Sequence, residues 1–154
     1  MRAETRPRTQ PAMAWARFTS LGLSVAGLAV STYLTVEHLT TPTLLACPET
    51  GVVNCQQVLT SPQASLVGVP VAVLGLVYFL AMVGLTLPVA WASSRRELRL
   101  ARLGGAVIGV LMVFYLLYAE LFEVDRICLW CTVVHVITVA LFAVLVVEQT
   151  ADRT

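Results

Sequence analysis

Four stretches of this chain, 18–36, 66–92, 103–119 and 127–147, contain no Asp, Glu, Lys or Arg. A helix needs about 20 apolar residues to cross the hydrocarbon core of a bilayer, and a chain of 154 residues has no soluble interior large enough to bury four such runs. Only 12% of the residues are charged and mean hydropathy is +0.82, against about 25% charged in soluble domains. The runs are continuous and do not alternate, which excludes a transmembrane barrel. The expected fold is therefore all-α and integral to the membrane. A single domain over 1–154 forms a bundle of four transmembrane helices.

The second stretch is 27 residues long, so it either tilts or opens as a re-entrant piece before Pro70. The third has 17 residues between Arg102 and Glu120, a length that snorkelling of both flanking side chains extends. The first is too long for the apolar core of a cleavable signal peptide, and no small-x-small site follows it.

Orientation follows from arginine, because the chain has no lysine. Arg2, Arg6, Arg8 and Arg17 precede the first span, Arg95, Arg96, Arg99 and Arg102 lie in or beside the loop 93–102, and Arg153 follows the fourth span. Only Arg126 falls on the other side. The positive-inside rule makes both termini and the loop 93–102 cytoplasmic. The loop 37–65 and the turn 120–126 then face outward. Topology accounts for the arginines, and a net charge of +1 gives no reason to expect nucleic acid.

All four cysteines fall on that outward side: Cys47 and Cys55 in the loop, Cys128 and Cys131 at the start of the last span. Disulfides persist in such an extracytoplasmic compartment. Structural stapling is a sufficient reading of the loop pair, since a loop of 29 residues needs restraint. It explains Cys128 and Cys131 poorly, because closing C-x-x-C on one helix restrains little chain. That spacing belongs instead to dithiol redox sites, where a helix N-terminus favours the thiolate. Cys128 is expected in the first turn of the span, with its thiol made more acidic than a free one. Two pairs on one side suggest a relay by thiol-disulfide exchange, and the apolar electron acceptor of an energy-transducing membrane is a quinone.

His135 shares a helical face with Cys128 and Cys131 and is placed to bond a quinone oxygen or carry a proton. A zinc site would need a fourth ligand from Cys47, Cys55 or His38, and no metal is expected. Of Tyr78, Phe79, Tyr115 and Tyr118, most are packing residues or interfacial anchors; Phe79 and Tyr115 are assigned to a ring-binding pocket. In the outward loop, Pro42, Pro48, Gly51 and Asn54 mark turns. From Asn54, "NCQQVLTS" reads as two helical turns capped by Asn54, with Val58 and Leu59 on an apolar face, ended by Pro62. This short amphipathic helix would lie over the bundle as a lid. Thr60 and Ser61 read as capping hydroxyls. The glycines, Gly68, Gly75, Gly84, Gly104, Gly105 and Gly109, read as packing residues, and no nucleotide motif is present.

Several features in order resemble the bacterial form of the vitamin K epoxide reductase family. They are "STYLTVEHL" closing the first span, a C-x7-C loop pair, Ser61 six residues beyond Cys55, "GVPVAVLGLVYF" opening a span and "ICLWC" opening the last. The resemblance covers about 18–148. A second quinone-reducing family of four-helix membrane proteins has its C-x-x-C before the loop pair, the reverse order.

The resemblance implies a four-helix bundle around a membrane quinone, menaquinone or ubiquinone. It implies that Cys47 exchanges with a partner's dithiol, Cys55 attacks Cys128, and Cys131 faces and reduces the quinone. Ser61 matches a loop serine or threonine near the substrate, and His135 a pocket position where relatives frequently carry tyrosine. The implied activity is that of a thiol:quinone oxidoreductase which reoxidises an extracytoplasmic thioredoxin-like thiol oxidase, supporting disulfide formation in exported proteins. Many bacterial members carry a fused thioredoxin-like domain; this chain ends at Thr154, so the expected partner is a separate protein. A non-catalytic membrane module, with a structural loop disulfide and a cysteine/histidine metal site, is the rival reading.

Overall fold

The computed structural model describes residues 10–40, 47, 48, 50–93 and 95–151, and the side chains from residue 14 onward. Arg2, Arg6, Arg8, Pro42 and Arg153 lie outside the described residues.

The first helix, α1 (Gln10–Leu39), carries small or hydroxyl residues at Ser20, Ser24, Gly27, Ser31 and Thr35 along one face. Their hydroxyls fold back onto the preceding turn, as Ser24 Oγ does onto the Ser20 carbonyl at 2.8 Å and Thr35 Oγ1 onto that of Ser31 at 2.7 Å. Hydroxyls satisfied in this way add no polar cost, so the face admits a close neighbour. That neighbour is α3 (Val71–Thr86), which with α6 (Leu129–Ala151) packs along α1. At Gly27 a Cβ would collide with the ring of Phe79, so glycine sets how near the two helices come.

The stretch 66–92 is not one continuous helix. It opens with a hairpin, Ser65–Leu66 (β1) paired antiparallel to Val69–Pro70 (β2), turned through Val67 and Gly68. Both turn residues have positive φ, 54° and 81°, the pattern of a two-residue hairpin turn. Gly68 is thus a turn residue and not a packing one. Then α3 runs for 16 residues to Thr86 and stops. Pro88 disfavours the helical conformation at the residue before it, and Leu87 sits at φ −57°, ψ 145°. A short helix, α4 (Pro88–Ala92), follows. The break frees the Thr86 carbonyl, which accepts from the Trp91 indole N–H at 3.1 Å. Trp91 in turn lies under the Arg102 guanidinium, 3.6 Å from its carbon to the ring centroid.

The third stretch begins earlier than its charge-free core: α5 (Arg96–Tyr118) is extended by a π turn, Ala119–Val124, which ends at Asp125 in the left-handed conformation. Three helical segments, Ala14–Leu39, Arg96–Val124 and Leu129–Ala151, are long and apolar enough to cross a membrane, and Val71–Thr86 is a shorter apolar helix. Their outward faces are apolar, as at Leu111, Phe114 and Val136. A membrane protein built this way turns such faces to lipid.

Candidate functional site

Two backbone hydrogen bonds bring the cysteine pairs together. Val53 bridges in parallel to Ile127: the Asn54 N–H donates to the Ile127 carbonyl at 3.1 Å, and the Ile127 N–H to the Val52 carbonyl at 3.0 Å. Asn54 immediately precedes Cys55, and Ile127 immediately precedes Cys128, so pairing the first two aligns the second two. Asn54 also starts the loop helix, α2 (Cys55–Leu59), its Oδ1 accepting from the Gln57 N–H at 2.8 Å. The helix makes one turn and not two, with Val58 and Leu59 buried.

Cys55, Val58 and Cys128 consequently form one buried cluster, with Cys47, Val124, Trp130 and Cys131 packed against it. Cys47 and Cys55 are joined by a disulfide; Cys128 and Cys131 are free thiols. Cys128 lies one residue before α6, outside the spanning helix. Its Sγ accepts the Cys131 N–H at 3.2 Å. The Cys131 side chain also donates to it, and these bonds hold the Cys128 thiol below the ordinary thiol range against the opposing effect of burial.

Cys131 also borders a cavity of about 270 Å³ lined by α1, α3, α5, α6 and the loop segment. Apolar side chains make up most of its wall, Phe79 among them, and Ser61 and His135 also line it. Ser61 does so while its hydroxyl donates to the Val58 carbonyl at 2.7 Å, a capping contact. Two polar atoms inside the wall have no hydrogen-bond partner among the described residues: the Tyr78 hydroxyl and His135 Nδ1. Unsatisfied buried polar groups are costly, and a ligand with two acceptor oxygens would satisfy a donor at each. The cavity thus combines an apolar wall with two polar groups that a bound ligand could satisfy.

Tyr115 is not part of this wall. It is 40% exposed and sits on the outer side of α5, while Met112, Val113 and Leu116 supply that helix's lining. Tyr78, one residue from Phe79, lines the cavity instead. The uniformly apolar sequence around both gave no signal for choosing the inward aromatic. Glu120 was also missed: it looked like a turn residue ending an apolar run, yet it is 5% exposed and lines the cavity beside Cys131. Among the described residues no three His, Cys, Asp or Glu side chains gather as a metal-binding group.

The family model for the vitamin K epoxide reductase family matches residues 18–146. No curated protein matches the chain.

Proposed function

The chain belongs to the vitamin K epoxide reductase family, and from that premise we propose that it is a membrane thiol:quinone oxidoreductase which reoxidises a separate extracytoplasmic thioredoxin-like thiol oxidase. The observation that carries this reading is the cluster in which Cys55 packs against Cys128 while the neighbouring Cys131 opens onto the cavity. Electrons then have a short route. The partner's dithiol reduces the Cys47–Cys55 disulfide and becomes a disulfide itself. Cys55 passes the pair to a Cys128–Cys131 disulfide, restoring the loop disulfide and leaving two free thiols in α6's first turn and just before it. Loop pair oxidised and C-x-x-C reduced is the distribution poised to reduce the acceptor.

That acceptor is a membrane quinone, menaquinone or ubiquinone, which takes two electrons and two protons. Phe79 bounds the slot for its ring, and Tyr78 and His135 supply the unpartnered polar atoms for its oxygens. Ser61 stands at the loop edge of the same slot. Exchange runs forward when the quinone potential lies at or above that of the partner, each 30 mV being worth about 1.4 kcal/mol for two electrons.

The same reading makes the chain one membrane domain crossing four times. The 16 residues of α3 cover about 24 Å at 1.5 Å per residue, and the hairpin before it and α4 after it complete the crossing. Both termini and the loop 93–102 are cytoplasmic by the distribution of arginine, and the cysteines are extracytoplasmic.

The test is quinone reduction by the purified protein in detergent with a dithiol reductant, wild type against Cys131→Ala. Turnover in the first and none in the second, with both folded, is the expected result. Absence of turnover in a folded wild type would return the chain to a non-catalytic membrane module.

A further inference from the structure

Glu120 is the one acidic side chain lining the cavity among the described residues. It sits in the π turn Ala119–Val124, and such irregularities re-aim side chains that a regular helix would place elsewhere. Its own carbonyl accepts the N–H of Asp125 and, at 3.1 Å, that of Arg126, which closes the turn behind it. The carboxyl faces the backbone N–H of Cys128 and lies within electrostatic reach of the Cys128 and Cys131 thiols. Among the described residues no cation pairs with it; Arg126 pairs with Asp125 at 3.7 Å instead. A buried carboxylate without a counter-ion is costly, so this group is suited to taking up and releasing a proton.

The other titratable groups facing the cavity are His38 from α1, Tyr78 from α3, and Cys131 and His135 from α6; Cys128, just before α6, faces the carboxyl from the buried cluster with Cys55. The loop helix brings only the Cys47–Cys55 disulfide, which does not titrate. On its own segment Glu123 and Asp125 are exposed.

We propose that Glu120 accepts a thiol proton when the Cys128 and Cys131 pair is oxidised and passes it to the electron acceptor in the cavity. This rests on the function proposed above. Oxidation of the pair forms one S–S bond and releases two electrons and two thiol protons. The quinone takes both electrons, and its two oxygens take both protons to give the hydroquinone. One of the protons goes by way of the Glu120 carboxylate, which is protonated as the S–S bond forms and ionised again on delivery, so it starts and ends the cycle in the same state.

The experiment uses the full chain, reduced with a dithiol, freed of reductant and mixed rapidly with a short-chain benzoquinone. Glu120→Gln should slow oxidation of the thiols by about a hundredfold, the scale of a lost general acid-base group, and Glu120→Asp should slow it less. With no quinone present, alkylation of Cys131 by iodoacetamide should be as fast in Glu120→Gln as in wild type or faster, because the change removes a negative charge near the thiol. An infrared pH titration without quinone should show a carboxyl band that Glu120→Gln abolishes. Wild-type oxidation rates in Glu120→Gln, equal slowing of oxidation and alkylation, or no titrating band assigned to Glu120 would each overturn the proposal. A wild type that reduces no quinone would instead sink the function proposed above. The titration tells the two failures apart, because it reads Glu120 without quinone.

Discussion

The Cys131 N–H donates to Cys128 Sγ at 3.2 Å, so the two sulfurs of the C-x-x-C sit on one turn with different surroundings. Cys128 is wholly buried against Cys55, and Cys131 borders the cavity. The proposed function uses this division, with Cys128 exchanging with the loop and Cys131 serving the acceptor.

Cys47 is the more accessible member of the loop pair: it is part-exposed, whereas Cys55 is 1% exposed. Cys47→Ala is expected to abolish reoxidation of a thioredoxin-like partner while leaving quinone reduction by a small dithiol partly intact. Steady-state rates with the two reductants check this, and equal losses with both would refute the assignment.

Asn54 holds the loop at two points, through its side-chain cap on α2 and its N–H bond to Ile127. Asn54→Ala removes only the cap and should cost about 1 kcal/mol. The expected readouts are a lower thermal midpoint and slower transfer from the loop pair to Cys128, with direct reduction of Cys128 and Cys131 by a small dithiol unaffected.

Tyr78 and Tyr115 make opposite predictions. The Tyr78 hydroxyl is buried without a partner in the cavity wall, and Tyr115 faces outward. Loss of one hydrogen bond costs about 0.5–1.5 kcal/mol, so Tyr78→Phe should raise the KM for quinone by about 3- to 10-fold. Tyr115→Phe should leave it unchanged. A change of KM in Tyr115→Phe alone would place the ring elsewhere.

Val67 occupies the hairpin tip, 97% exposed and at φ 54°. A β-branched residue is strained there by about 1–2 kcal/mol, and Asn tolerates the conformation. Val67→Asn is expected to raise stability by about 1 kcal/mol, read as a higher thermal midpoint, with quinone turnover unchanged.

Much of this was legible in the chain. Charge-free runs identify membrane helices because an unpaired charge in hydrocarbon is costly, whatever the tertiary arrangement. Asn54 as a helix cap and Pro62 beyond the loop helix were readable because a capping side chain and a missing N–H act within one turn. Cysteine order and spacing carried the family. The division of 66–92 into hairpin, helix and short helix was only half readable: Pro70 signalled an interruption, Pro88 was not read as one, and an uncharged run of that length also suits one tilted span.

The facing of side chains was not readable. A segment apolar on every side, such as α3, has no periodic contrast to say which face meets a neighbour, so Tyr78 and Tyr115 could not be told apart. The meeting of Cys55 with Cys128 depends on the Val53 to Ile127 bridge, a backbone contact between distant segments that leaves no side-chain pattern. Glu120, in the π turn Ala119–Val124, lines the cavity, a placement that a turn residue's sequence does not announce. Local sequence, through the free energy of placing charge in lipid, decided that this chain lies in a membrane with its cysteines in two pairs; long-range backbone pairing and helix packing decided which sulfur, ring and carboxyl share a site.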